Sequence, residues 1–403
     1  MIPYDGWERR PAPPGTTDAG RNNHGFAHRN QLVVDERDWP AVARVLHDLN
    51  AAYHGLDIRY GLARVELAAT YDSVVYEQDL VRRVEAVLDG HRPRVGRNRL
   101  VTHAELEFDS ADIEAAPKVV PSSAGESKPV TDADLPPLGG PDLATPIRVG
   151  VVDTPFVGHK YLAGSCLYRP EPARVVEEVQ TPGHSTFVAG LILQLAPEAV
   201  VLADGAIKPD GIADLVAVHD AICALTLGGA HLINLSLGCV TADDEEPFVV
   251  AHAIEWATRT AQRHDRPVPL FVAACGNSGD DRPFWPAADP RVCSVAAATE
   301  IDGRWSVTDY SGRGSWVDVA ARGEDLLSTR PNFATDPPDL DAYAYWSGTS
   351  FATAVVTGLK AAQLSRTGTA DLADAAGAIT FAVNGSGDDV TVPVYDPDGI
   401  THQ

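Results

Sequence analysis

Four short stretches of this 403-residue chain hold side chains able to move a proton or stabilise charge, and each also has an everyday structural use. Asp153 directly follows the apolar run Ile147-Arg148-Val149-Gly150-Val151-Val152, so a carboxylate stands at the end of a strand. Ligands of open parallel sheets gather beyond the strands' carboxyl ends, although an Asp there also commonly caps a loop. His184 opens Gly183-His184-Ser185-Thr186-Phe187-Val188-Ala189-Gly190, a helix of small and apolar residues that can lie close to its neighbours; a single His at a helix start is usually structural. Ser350 sits in Ser347-Gly348-Thr349-Ser350-Phe351-Ala352-Thr353-Ala354, where a tight Gly turn leads into a helix reaching about Leu364. There a hydroxyl meets unpaired N–H groups and the positive end of the helix dipole, which favour negative charge on a reacting oxygen; an ordinary N-cap uses the same residue type. Asn277, in Ala273-Ala274-Cys275-Gly276-Asn277-Ser278-Gly279, comes just past an apolar strand. Between glycines it reads as a turn former, and beside a nucleophilic Ser it reads as a donor to a developing oxyanion.

These residues need a scaffold that brings them together. From Ile147 onward, strand-like runs (Ile147 to Val152, Val200 to Ala203, Leu232 to Leu237, Leu270 to Ala274, Val292 to Ala297) alternate with helical stretches such as Asp214 to Leu227 and Phe248 to His264. Near-continuous apolar strands separated by helices predict an α/β fold with a parallel sheet covered on both faces. Ahead of it, Leu32-Val33-Val34, a helix from Trp39 to Leu49, the alternating Val65-Glu66-Leu67, a helix over Asp79 to Asp89, and strand character at Leu100-Val101 and Leu106 to Phe108 predict a small α+β domain. The division expected is a polar leader over 1–30, that domain over 31–108, a Pro-rich acidic linker over 109–145, and the α/β domain over 146–403 with an extension from about 366. The extension reads as the end of a helix and a polar hairpin without a role.

Together the four motifs, in the order Asp, His, Asn, Ser, resemble the subtilisin-like serine proteases, the subtilases. Ile233-Asn234-Leu235-Ser236-Leu237-Gly238 is similar to that family's substrate-binding strand, and Trp285-Pro286-Ala287, Tyr310-Ser311, Gly314 to Ala320 and Leu327-Ser328-Thr329 add further matches. The likeness runs from about Pro146 to Leu364. It implies a subtilisin-like fold in which Ser350 attacks a scissile carbonyl, His184 relays the proton, Asp153 orients the imidazole, and Asn277 serves the oxyanion hole. Ser236, Leu237, Gly238 and Gly276 would then bind a protein or peptide substrate, with Pro209 to Ile212 as the other flank. The sequence departs from the family pattern at Pro155, Ser185, Phe187, Phe351 and Ala354, none of which makes or breaks a bond. The resemblance implies no cofactor; subtilases often bind calcium, but no ligand set can be matched here, so no metal site is assigned.

Composition is that of a soluble globular protein: 44% hydrophobic, 22% charged and 7% aromatic residues. Lys plus Arg total 32 against 56 Asp plus Glu, and the net charge of −24 repels nucleic acid. The longest apolar region, Leu215 to Gly238, carries His219, Asp220, His231 and Asn234, too polar for a membrane span. The five cysteines form no C-x-x-C pair, and no signal peptide is recognisable, so a cytoplasmic protein with reduced thiols is expected. The acidic run Asp243 to Glu246 beside the expected pocket reads either as a solvated loop or as a preference for basic substrate residues. For residues 31–108 two roles stay open. One is a propeptide whose Arg92, Arg94, Arg97 and Arg99 dock it on the acidic catalytic domain; the other is a permanent recognition domain. An alternative of another class is a subtilase fold kept as a binding or regulatory module with weak catalysis.

Overall fold

The computed structural model describes residues 27–68, 73–88, 90–103, 135, 138, 146–168, 183–208, 211–241, 244–333, 335–372, 375, 377–382 and 389–396. The leader up to 26, most of the linker and the strand expected at Leu106 to Phe108 lie outside them.

The centre of the molecule is a ten-stranded sheet. Its parallel core consists of β5 (Arg148–Val152), β6 (Cys166–Tyr168), β7 (Val200–Asp204), β9 (Leu232–Leu235), β11 (Leu270–Ala274), β12 (Val292–Ile301) and β14 (Val319–Arg322). They stand in the order β14-β12-β11-β9-β5-β7-β6. Helices α3 (His184–Leu195) and α6 (Thr349–Thr367) cover one face, where Phe187, Ile192, Phe351 and Val355 pack on Val149, Val151, Val272 and Val295. Helices α4 (Leu215–Leu227) and α5 (Phe248–Arg263) cover the other. Double coverage explains why the strands read as unbroken apolar runs rather than as alternating ones.

The ends of the sheet hold a correction. The carboxyl-terminal hairpin, expected to be polar and without a role, is built into the sheet. Strands β17 (Gly377–Ala382) and β18 (Asp389–Tyr395) pair antiparallel, and β18 runs parallel to β14. Ile379, Phe381, Val392 and Val394 form a cluster with Ala296, Ala298 and Val317. Their period of two, separated by Thr and Pro, gives a half-buried pair of strands. On the opposite face of the domain a separate hairpin, β15 (Leu326–Thr329) with β16 (Tyr343–Trp346), is fastened to α3: Ser328 and Thr329 hydroxyls donate to the Phe187 and Thr186 carbonyls at 2.8 and 2.9 Å.

The amino-terminal unit is an antiparallel sheet in the order β2-β3-β1-β4, made of β1 (Ala27–Asp35), β2 (Tyr53–Arg59), β3 (Leu62–Leu67) and β4 (Val95–His103). Helices α1 (Trp39–Asp48) and α2 (Ser73–Val87) pack on it. Strand periodicity divides the sheet's two faces. Leu32, Val34, Ala63, Val65 and Leu67 face α1 and α2, whereas Val33, Leu62 and Val101 join the cluster containing Ala213, Leu215, Leu237 and Val249 of the α/β domain. Strand β4 also pairs antiparallel with two short strands of that domain, β8 (Ile212–Asp214) and β10 (Leu237–Gly238).

Candidate active site

Asp153 is the first residue beyond β5 and is fully buried. Its own backbone continues the β5–β7 ladder, since its N–H donates to the Asp204 carbonyl at 3.0 Å. A buried carboxylate must replace the water it loses, and this one accepts from Thr154 N–H at 2.6 Å and faces His184 Nδ1 at 2.8 and 2.9 Å from its two oxygens. The segment after β5 is pinned to the start of α3: Ser185 N–H donates to Thr154 Oγ1 at 3.1 Å, and Thr186 Oγ1 donates to the Val157 carbonyl at 2.9 Å. Those bonds fix the distance between carboxylate and imidazole.

His184 is the first residue of α3, entered through Gly183 at φ 86°. That left-handed turn needs glycine, and a Cβ there would also lie 2.8 Å from Pro331 Cδ. The imidazole is buried between rings, with Trp346 edge-on at 5.5 Å and Phe351 at 5.2 Å between centroids. Phe351 is the neighbour of Ser350 in α6, and α3 packs on α6, so the two helix starts lie side by side.

Ser350 Oγ turns to the Ser236 carbonyl at 3.4 Å. A relay of buried polar groups that the sequence reading missed holds this corner. Ser236 Oγ donates to the Ser350 carbonyl at 3.0 Å, Asn234 Nδ2 donates to Ser236 Oγ at 2.9 Å, and Thr357 Oγ1 donates to Asn234 Oδ1 at 2.9 Å. Its only advance signal was polarity inside apolar runs: Asn234 and Ser236 interrupt an otherwise apolar stretch, and Thr357 lies in a buried helix.

Asn277 takes the N–H and the hydroxyl of Thr349 on its Oδ1, at 3.1 and 2.8 Å. With the carbonyl end committed, the amide NH2 is the end left to meet a substrate oxygen beside Ser350. The preceding Gly276 adopts φ +91°, again a glycine conformation. Cys275, just before it, is not a competing nucleophile: burial pushes its thiol up to about 12.

The stretch expected to bind substrate holds the short strand β10 (Leu237–Gly238), and Ile212, the last residue of the expected flank, opens β8 (Ile212–Asp214). Strand β4 lies between them. Leu237 is opposite His103 and Gly238 opposite Thr102 on one side; Ile212, Ala213 and Asp214 are opposite Thr102, Val101 and Leu100 on the other. Asn98, fully buried, accepts from Val216 N–H at 3.2 Å and so caps α4 from another domain, while Arg94 reaches Glu255 at 2.7 Å. Two side chains of the acidic run are paired, Asp244 with Arg282 at 2.8 Å and Glu246 with Arg291 at 3.3 Å. That pairing favours the solvated-loop reading over recruitment of basic substrates. Among the described residues no group of three or more His, Cys, Asp or Glu side chains is placed to hold a metal ion, and no helix is long and apolar enough to cross a membrane.

Comparison with known proteins identifies the family and the fold. The Subtilase family model matches residues 145–379. The chain is 34% identical over 188 residues to the thermophilic serine proteinase of Bacillus sp. (strain AK1), over 44% of this chain and 41% of that protein. It is 30% identical over 227 residues to thermitase of Thermoactinomyces vulgaris, over 53% of this chain and 72% of that protein. Among solved structures, fervidolysin from Fervidobacterium pennivorans, a keratinolytic enzyme related to subtilisin, superposes with a TM-score of 0.61 at 20% identity, covering 86% of this chain and 56% of that one, a likeness of fold. The chain spans less than half the length of the Bacillus relative it matches. A family match across more than half of the residues, over the same segment that carries the Asp–His pair, Asn277 and Ser350, places this chain in the subtilase family.

Proposed function

We propose that the protein is a serine endopeptidase. The observation that carries the reading is the buried Asp153–His184 pair, bonded at 2.8 Å and held on a helix packed against the one that presents Ser350. In the reaction Ser350 Oγ, turned from Ser236 toward the imidazole, attacks the scissile carbonyl as its proton passes to His184 Nε2. The oxyanion is met by the Ser350 N–H at the helix start and by Asn277 Nδ2. His184 then returns the proton to the leaving amine, and a water, deprotonated by the same imidazole, hydrolyses the acyl-enzyme; Asp153 holds the Nδ1–H tautomer and stabilises the imidazolium throughout. The test is labelling by a serine-directed fluorophosphonate together with peptide hydrolysis. Wild type should label and cut, and Ser350→Ala should do neither while keeping its circular dichroism; equal hydrolysis by both proteins would remove the assignment. A module that binds without cutting would leave Ser350 unreactive.

We further propose that the amino-terminal domain docks on the catalytic domain and fills its cleft as a tethered strand. Support comes from the β4 pairing, the Asn98 cap and the Arg94–Glu255 ion pair. Main-chain pairing of this kind accepts many sequences, so an extended peptide substrate would use the same two flanks. One further step in the β4–β10 register would set the residue after His103 opposite Ser236, and the next peptide bond beside Ser350. That residue is Ala104, outside the described set, so self-processing is expected between Ala104 and Glu105, just ahead of the Pro-rich linker. Mass spectrometry of wild-type and Ser350→Ala protein checks it. A new amino terminus at Glu105 in wild type alone is the expected result, and an intact wild-type chain would make the domain permanent. A restricted substrate in a reducing, cytoplasmic setting remains our proposal, supported by five free cysteines.

A further inference from the structure

The two glycines of the expected substrate slot are not walls of an open space. A Cβ placed on Gly238 would lie 2.3 Å from Phe284 Cε1 and 2.8 Å from its Cδ1, and a Cβ on Gly276 would lie 3.1 Å from Phe284 Cδ2 and Cγ. One aromatic ring therefore fills the space that both missing side chains leave. The ring is also held in place. The bridge between Cys239 and Trp285, with bonds of 2.9 and 2.8 Å, ties the residue after Phe284 to the residue after Gly238, and the Ala288 N–H donates to the Phe284 carbonyl at 2.9 Å. Upstream, Arg282 anchors the same loop to Asp244 and the Thr241 carbonyl. Phe284 is half-buried, so its outer edge remains available to a bound peptide.

We propose that Phe284 sets substrate choice by occupying the slot beside the cleaved bond, so that the residue immediately before that bond must be small: Gly, Ala or Ser. This rests on the proteolytic reading above, in which the side chain before the scissile bond enters between Gly238 and Gly276. Close-packed surroundings do not yield to an added aromatic group without displacement of backbone or ring. The neighbouring carboxylate Asp244 offers a basic side chain little compensation, because Arg282 already pairs with it.

The test uses the full-length chain, after any self-processing is complete, and a peptide library varied only at the residue before the cleaved bond. Wild type should turn over the Ala and Gly peptides with kcat/KM about 100-fold above the Phe, Leu and Lys peptides, the scale that a few methylenes of pocket misfit can supply. Phe284→Gly should raise kcat/KM for the Phe and Leu peptides by about 10–100-fold and change the Ala peptide far less. The wild-type profile stands by itself if the variant does not fold. Turnover by wild type that is indifferent to side-chain size, or a folded, active Phe284→Gly enzyme with an unaltered profile, overturns the slot while leaving proteolysis intact. Failure to cut any peptide together with an unreactive Ser350 removes the proteolytic reading itself, and the slot with it.

Discussion

Asp153 shows how much a single side chain is asked to do. It is a fully buried carboxylate whose lost hydration is replaced by an amide N–H and an imidazole N–H, and removing its charge should alter the chemistry without disturbing the packing. Asp153→Asn is expected to keep the fold yet lower kcat by about 10⁴-fold, because an amide at that place favours the wrong imidazole tautomer. Steady-state hydrolysis of a peptide amide, with thermal unfolding as the control, checks this; a loss below tenfold would separate Asp153 from the reaction. The orientation of Asn277 has a similarly local cause. Thr349 takes its carbonyl oxygen twice, so the amide cannot flip without breaking both bonds.

At the level of elements, the proposed proton transfer from Ser350 to His184 depends on how closely α3 and α6 approach. Gly358 marks that approach: a Cβ there would lie 3.0 Å from the Ile192 carbonyl oxygen and from Leu195 Cβ. Gly358→Ala should therefore separate the helices, costing about 1–3 kcal/mol of stability by overpacking. It should lower kcat more than it changes KM, because the proposed peptide flanks Ile212–Asp214 and Leu237–Gly238 lie elsewhere. Urea denaturation combined with kinetics distinguishes this outcome from a purely structural loss, which would leave kcat per folded molecule unchanged. The Thr357–Asn234–Ser236 relay has the complementary task of binding α6 to β9 and β10 from the sheet side.

For the molecule as a whole, the contact between its two domains contains a pH-sensitive histidine, His252. His219 Nε2 and His252 Nδ1 are 3.0 Å apart beneath the β2–β3 turn, where Tyr60 packs on Trp256 and on His219 and Gly61 lies against His252. Burial, reinforced by His219, pulls His252 down to about 4, with Arg94 and Arg259 acting in the same direction and Asp35 opposing them. Such a group binds fewer protons when covered than when exposed between about pH 6.5 and 4. Its contribution therefore weakens the domain contact as pH falls through that window and is constant above it. Glu246, raised to about 8 by burial beside Asp289, acts oppositely, favouring the folded chain as pH falls from 8 toward 4.5. The His252 effect is accordingly read as a difference: between pH 7 and pH 4, Ser350→Ala should lose more thermal stability than Ser350→Ala/His252→Gln. Identical losses would rule His252 out as the cause. Asp35 does not interfere, since Arg37, working against burial, holds its carboxyl down at about 2.

Much of the candidate site was legible along the chain because each candidate group abuts a local signal. Asp153 ends an apolar strand, His184 and Ser350 open helices behind glycines, and Asn277 follows a strand through Gly276; these are short-range consequences of backbone chemistry, together with a family likeness that spans the same segment. The parallel sheet followed equally from unbroken apolar runs. What only tertiary structure decided depends on residues far apart in sequence. The β4 strand between Ile212–Asp214 and Leu237–Gly238, the Asn98 cap on α4 and the Phe284 ring in a space left by two glycines carry no periodic or compositional signature. The carboxyl-terminal hairpin joined the sheet because alternate side chains found a partner surface, which a reading of overall polarity cannot reveal. Local sequence selects the conformation of a segment, whereas the identity of its neighbour is settled only when burial of both surfaces is complete.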